Sequence, residues 1–254
     1  MKHDVSLTIG WFYPDLMSTY GDRGNIIVLT KRAEWRGIKV VVERISIEDK
    51  PEIIERCDLL FMGGAQDQQQ EIVNRNLAKE KGNLLIDAIQ SNVPALFICG
   101  AYQFMGKYYL TADGKKLKGL GLFDLYTENP GLHVKRLIGN IVVQPFSVRN
   151  QSAVFVGFEN HGGRTYLSDK NMAFAKVIKG YGNNGNDGTE GILYHNAIGT
   201  YLHGPILPKN HGLADWFIEK ALETKYKKRM PLKRIDDSLS ELARKVILRR
   251  VNVL

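Results

Sequence analysis

Residues 94–106, P-A-L-F-I-C-G-A-Y-Q-F-M-G, restrict the possible folds of this chain more than any other stretch. Ala95, Leu96, Phe97 and Ile98 make an apolar run of the length expected for a strand covered on both faces. Gly100 and Ala101 then remove side-chain bulk where the backbone must reverse, and residues 102–107 begin a helix. Cys99 is the corner. A thiol held there lies beside the free N–H groups and the positive dipole end of the helix, which favours thiolate over thiol. The pattern is that of a nucleophile elbow. It equally suits a small hydrophobe closing a core strand, because free cysteines are among the most buried side chains.

The chain before the elbow reads as alternating strands and helices. Residues 5–12 form a first strand, 13–25 a turn-rich loop, and 26–34 a helix stopped by Gly37. A second strand covers 40–47, a short helix 51–56 and a buried strand 58–62, ended by Gly63-Gly64. A Gln/Asn-rich segment follows, then an amphipathic helix carrying Leu84, Leu85, Ala88 and Ile89, then the elbow strand. This alternation predicts an α/β, doubly wound, mainly parallel sheet, in which ligands sit at the carboxyl ends of the strands. Gly63-Gly64 and Cys99 both fall at such ends.

Beyond the elbow helix the pattern changes to glycine-punctuated strands over 117–125, 137–146, 153–159 and 173–178, which predict antiparallel edge strands. The glycine-rich run 180–191 lacks the Lys-Ser/Thr end of a phosphate cradle and reads as a flexible hairpin loop. A strand over 198–202 leads into His203-Gly204-Pro205, a helix spans 212–226, and Ile235, Leu239, Leu242, Val246 and Ile247 make the apolar stripe of a last helix. The division expected is one domain over 1–210 and C-terminal helices over 211–254 packed on it or extending from it.

Two cysteines exclude a disulfide framework or a cysteine-rich zinc site, and no metal is expected. No stretch holds the roughly 18 apolar residues of a membrane span, so a cytoplasmic chain is expected. The net charge of +8 does not signal nucleic-acid binding, because from Lys220 onward there are eleven Lys and Arg against four Asp and Glu, leaving the first 219 residues near neutral. No aromatic interleaving or recognition motif accompanies those basic helices. Solvated cationic surface, a partner contact or anionic lipid would each account for them.

A thiolate nucleophile needs a base that takes a proton and returns it to the leaving group, and histidine suits both steps. His3, His133 and His211 lie among polar residues, whereas His161, His195 and His203 each end a strand-like run and are equivalent by spacing. Acyl transfer also needs N–H groups aimed at the developing oxyanion, which Gly100 and the Gly63-Gly64 loop could supply.

Taken in order, F-M-G-G-A-Q-D, F-I-C-G-A-Y-Q-F-M-G, G-L-G-L-F-D-L-Y-T, R-L-I-G-N-I-V, G-F-E-N-H-G-G-R-T-Y, G-Y-G-N-N and G-T-Y-L-H-G-P-I-L-P-K-N run through nearly the whole chain. Together they resemble the GatD-type glutamine amidotransferase subunits of lipid II isoglutaminyl synthases, within the class I, cobyric acid synthase-like amidotransferases. The resemblance implies a flavodoxin-like glutaminase fold. It implies Cys99 as the nucleophile, His203 as its base and Gly64 with Gly100 as oxyanion donors. Gln103, Arg136 and Gly63 fall at positions that help to bind glutamine, Arg136 by pairing with the α-carboxylate.

Two departures stand out. The family has Gly-Gly after the cysteine, whereas Ala101 follows Gly100 here, which a helical Ala101 would tolerate. Many class I glutaminases carry a glutamate two residues after the histidine, and here that residue is Pro205. The orienting carboxylate must come from elsewhere in the chain or from a partner, and the partner is the expected source because it would couple glutaminase activity to the acceptor enzyme. The chain contains no G-x-x-x-x-G-K-[ST] motif and no room for a second nucleotide-binding domain. The resemblance therefore implies that ATP and Mg belong to a Mur-ligase-like, MurT-type partner in a heterodimer, which amidates the α-carboxyl of D-isoglutamate in lipid II. Glutaminase action for another acceptor, such as a cobyrinic-acid-type carboxylate, or a stand-alone thiol hydrolase on the same fold, are the alternatives.

Overall fold

A computed structural model of the protein describes residues 5–18, 21–65, 67–147 and 154–253. The first half runs β1 (Ser6–Phe12), α1 (Arg23–Glu34), β2 (Lys39–Ile45), β3 (Leu59–Met62), α2 (Asp67–Asn76), α3 (Gly82–Gln90), β4 (Ala95–Ile98) and α4 (Gly100–Met105). The second half adds β5 (Tyr108–Leu110), β6 (Lys116–Lys118), β7 (Leu125–Glu128), β8 (Leu137–Pro145), β9 (Phe155–His161), β10 (Arg164–Leu167), β11 (Ala175–Lys179), β12 (Thr189–Glu190), β13 (Ile192–Tyr194) and β14 (Ala197–Thr200). Helices α5 (Ile206–Lys209), α6 (His211–Tyr226) and α7 (Ser238–Arg250) close the chain.

The main sheet has the order β13-β14-β4-β3-β1-β2, parallel throughout except where β13 pairs with β14. Read from β2 inward, its parallel strands follow the flavodoxin-like order, with β14 as the fifth. All four residues of β4 are buried, as expected for a strand flanked by β3 and β14 and covered on both faces. Four segments converge at the carboxyl ends of these strands: the loop between β1 and α1, Gly63-Gly64 after β3, Cys99 after β4 and His203 after β14.

Several expectations need correction. Apart from β13 and β14, the strands of the second half do not extend the main sheet. They form two separate four-stranded sheets, β10-β7-β5-β6 and β12-β11-β8-β9. The strand expected over 117–125 is two strands, β6 and β7, which never pair with each other and lie on either side of β5. The Gln/Asn-rich segment is α2, joined to α3 through one π-helical turn, Leu77–Lys81. Residues 180–191 are no floppy hairpin. Asn183 is fully buried, donates to Thr189 Oγ1 and the Gly191 carbonyl, and accepts from the Gly191 N–H and from Tyr102 of α4. Side-chain amides here replace the apolar contacts that sequence periodicity detects.

α6 buries Leu213, Phe217 and Ala221 against the core. α7 docks differently from its predicted stripe: Leu239, Leu242 and Val246 are exposed, while Leu248 packs near its end on Val142 and Val156. Its N-terminus is held by charge instead. Arg32 of α1 is buried, grips Asp215 of α6 in a bidentate pair at 2.7 and 2.8 Å, and meets Asp237, just before α7, at 2.5 Å. Arg36 adds a bond of 2.7 Å to Asp215. Removing one partner from such a cluster leaves charges poorly solvated. Arg32→Ala is expected to lower stability by about 3–5 kcal/mol in urea unfolding, and to expose the segment before α7 to limited proteolysis before the core unfolds.

Candidate active site

β4 runs straight into the elbow. The Cys99 N–H still donates to the Thr200 carbonyl at 2.9 Å, continuing the β4–β14 ladder, and the Cys99 carbonyl already accepts from the Gln103 N–H at 3.0 Å. One residue thus serves strand and helix at once, at φ 52° and ψ −105°. A non-glycine residue in that region stores about 1–3 kcal/mol of strain, and such residues cluster at functional sites. Gly100 opens α4, so its N–H has no acceptor within the helix. Ala101 is the second residue of the helix and is buried, which accounts for a Cβ being tolerated there.

The three histidines that spacing left equivalent are separated by the structure. His195 is bonded to Asn92 Oδ1 at 3.1 Å, on the loop before β4 and so at the opposite end of that strand from Cys99. His161 is buried, bonds the Gly163 carbonyl at 2.8 Å and lies flat on Tyr201 with ring centres 3.6 Å apart. His203 is the one beside Cys99: both side chains crowd the same face of Gly64, and the Cys99 charge acts on the imidazole. Its backbone is fixed by a two-way bridge to Phe158 of β9, at 2.7 and 3.2 Å.

A carboxylate of this chain faces His203. Asp22 is fully buried just before α1, with Oδ1 at 3.7 Å from His203 Nδ1. Pro205, at the position of the usual glutamate, has a packing role: a Cβ on Gly24 would lie 2.4 Å from its ring, so this proline clamps the start of α1 against the loop carrying His203. α1 begins three residues earlier than its apolar periodicity indicates, and this early start brings Asp22 to the site.

Gly64 lies over the pair: a Cβ on it would stand 3.1 Å from His203 Cε1 and 3.2 Å from the Cys99 Cβ, so any larger residue would crowd them. Its N–H donates to Asp22 Oδ2 at 2.8 Å. Gly63 lies against the Met17 carbonyl and Asp22. Gln103 is buried in α4 and donates to Tyr201 Oη at 3.1 Å, and that phenol in turn shares a proton with Thr165 at 2.7 Å. Arg136 is exposed at the start of β8, where Asn160 holds it at 2.9 Å through its side chain and 2.8 Å through its carbonyl. Gln70 was not singled out in the sequence. It is buried over the elbow, donates to the Ala65 carbonyl at 2.8 Å and fills the space that a side chain at 100 would need. Among the described residues there is no cluster of His, Cys, Asp and Glu able to hold a metal, and no helix is long and apolar enough to cross a membrane.

Burial opposes a charged His203, yet the neighbouring Cys99 and Asp22 together push its pKa from 6.5 up to about 10. The site therefore favours a protonated imidazole beside Cys99 at neutral pH. A pKa raised on folding gives stability that is complete below the unfolded value, near 6.5, and disappears as pH rises through about 10. Cys99→Ala is expected to lower the His203 pKa in an NMR titration. The stability difference between wild type and this variant should shrink between neutral pH and pH 10.

Comparison with known proteins follows this geometry. Residues 8–211 match the CobB/CobQ-like glutamine amidotransferase domain. The chain is 45% identical, over 97% of its length and 96% of the relative's, to the lipid II isoglutaminyl synthase (glutamine-hydrolyzing) subunit GatD of Staphylococcus aureus. It is 39% identical to the subunit of the same name from Streptococcus pneumoniae, over 94% of this chain and 90% of that one. A probable cobyric acid synthase of Methanosphaera stadtmanae is 30% identical over 66% of this chain, which corresponds to 33% of that longer protein. Among solved structures, a glutamine amidotransferase superposes with a TM-score of 0.58 over 84% of this chain and 98% of its own, at 13% identity, a likeness of fold. By domain match and by full-length similarity, the chain belongs to the CobB/CobQ-like glutamine amidotransferase family, alongside the GatD subunits.

Proposed function

We propose that this chain is the glutaminase subunit of a lipid II isoglutaminyl synthase. The observation that carries the reading is Cys99, held at a positive φ on the strand-to-helix corner beside a buried His203 whose proton is retained at neutral pH. The thiolate attacks the side-chain amide carbon of glutamine, and the carbonyl oxygen becomes an oxyanion beside the Gly100 N–H. His203 gives its proton to the departing nitrogen, so that ammonia leaves and a γ-glutamyl thioester remains on Cys99. Water then attacks the thioester, His203 accepts its proton, and glutamate is released. Arg136, oriented by Asn160, pairs with the α-carboxylate of glutamine, and Gln103 with Gly63 shapes the pocket wall.

The ammonia passes to a separate ligase. A Mur-ligase-like subunit of the MurT type holds ATP and Mg, activates the α-carboxyl of D-isoglutamate in lipid II and is amidated in a cytoplasmic heterodimer. Support comes from the relatives matched over nearly their full length, which are named as subunits of a glutamine-hydrolyzing synthase. Residues 1–210 form the glutaminase domain in this scheme and 211–254 its C-terminal helices, with the exposed Leu239, Leu242 and Val246 available to a partner.

Glutamate and ammonia release from glutamine, measured with and without the ligase, tests the scheme. Cys99→Ala and His203→Ala should each lower release by at least about 1,000-fold with little loss of folding, and lipid II amidation from glutamine should fail while amidation from added ammonia continues. Arg136→Ala should raise KM more than it lowers kcat. Release of glutamate by Cys99→Ala at the wild-type rate would end this reading.

A further inference from the structure

The positive charge of the chain is concentrated near its end, and large apolar side chains face water in the same place. α7 presents Leu239, Leu242 and Val246 on one outward stripe, with Leu239 80% and Leu242 60% exposed. Ala243, Lys245, Arg249 and Arg250 are exposed on the same side of the helix, each three or four positions from a member of the stripe. The other side is the one that docks: Leu248 packs on Val142 and Val156, and Arg244 donates to the Val154 carbonyl. In the segment before α7, Lys227, Lys228, Arg229, Lys233 and Arg234 are also exposed. None of these eight cations forms an ion pair with a described carboxylate. The three carboxylates of residues 230–254 are engaged elsewhere: Asp237 on Arg32, Glu241 on Arg244, and Asp236 on the Ser238 N–H. Ser240 lines a groove with Ile27 and Trp35 of α1, and that tryptophan is 66% exposed.

We propose that α7, with the basic segment before it, is a docking surface for an anionic lipid bilayer. At 13 residues α7 is roughly 20 Å long, too short to span a bilayer and suited to lying in the headgroup plane with its apolar stripe downward. Three apolar side chains bury too little surface to hold a protein there alone, and the cations supply the second signal that stable association needs. Charge decides against a protein as the occupant. A stable protein interface buries roughly 800 Å² per partner around a core depleted of lysine, whereas this stripe is short and surrounded by Lys and Arg with its carboxylates turned to other partners. Headgroup phosphates accept hydrogen bonds without demanding a fixed geometry, which suits the irregular segment 227–234. Trp35 fits the same layer, its ring apolar and its N–H polar. Two fixed points keep the stripe outward: Asp237 clamped on Arg32 before the helix, and Leu248 on β8 and β9 near its end. The proposal does not rest on the glutaminase reading; under that reading it brings the subunit to the leaflet that carries a lipid-linked acceptor.

Vesicle flotation of the full chain, alone and with the ligase, tests the proposal. Vesicles of phosphatidylcholine with one third phosphatidylglycerol should bind at least about tenfold more protein than phosphatidylcholine alone, and binding should fall at least about fivefold between about 50 mM and about 500 mM salt. Leu239→Ser combined with Leu242→Ser should lower it at least about fivefold, as should Arg249→Glu combined with Arg250→Glu. All four side chains are exposed, so the urea midpoint of each variant should stay close to that of the wild type. In the wild type, vesicles with brominated acyl chains should quench Trp35; Trp11 and Trp216 are buried, so the quenching reports that residue and needs no variant. Equal binding to neutral and anionic vesicles, binding to neither, wild-type binding by both double variants, or an unquenched Trp35 on bound vesicles would overturn the proposal. So would a ligase complex that no longer binds anionic vesicles together with double variants that no longer bind the ligase, because the stripe would then be a protein interface. Glutamate release is assayed on the same protein without vesicles, so failure of the glutaminase reading appears separately.

Discussion

The site depends on a strained backbone at Cys99. A φ of 52° with a side chain attached is unfavourable in isolation, and it persists because both flanks are over-determined. On one side the residue still belongs to the β4–β14 ladder, and on the other it accepts the first helical bond of α4. Relaxing the corner would break one of these or unseat Tyr102, whose ring is packed edge-on to Tyr201 and whose hydroxyl is anchored on Asn183. The sheet therefore supplies the force that holds the thiol out, and the small sheets and the 180–191 loop brace it from behind. The reactive corner and the buried amide knot are two ends of one mechanical arrangement.

Electrostatics completes what the strain begins. Burial alone would strip His203 of its proton, yet the thiol and Asp22 outweigh that effect. All three groups come from different strand ends, after β1, β4 and β14, so the charge pattern follows directly from the parallel topology. Aligned strands gather such residues on one edge whatever their separation in the chain.

The legible parts of the sequence were those with a local pattern. The apolar run before Cys99, the small residues after it and the alternation of strands with helices each follow a short-range rule, and these located the elbow and the parallel half. By spacing alone His203 was one of three strand-ending histidines, and only the family resemblance singled it out. Spacing cannot tell which strand end returns to β4; that is decided by β14 pairing beside it. Asp22 was hidden for a related reason. It lies in a turn-rich stretch whose polar residues look like ordinary loop, and its role depends on Gly64, which is 42 positions away. One available signal was an aspartate directly before a helix start, a residue type that usually caps its own helix and here does not. The stripe on α7 failed differently: periodicity identifies an apolar face but not what it faces, and the docking is set by Leu248 and the Arg32 cluster.

The chain order of the site governs when it can exist. β4 and Cys99 leave the ribosome about 100 residues before His203, and β14 must insert beside β4 before base and nucleophile meet, a pairing of high contact order. Until then the cysteine has neither its imidazole nor its strained corner, and the paired site does not exist in any nascent or partly folded form. The last strand of the parallel sheet acts as a checkpoint, so that nucleophile and base meet only on chains that have finished folding.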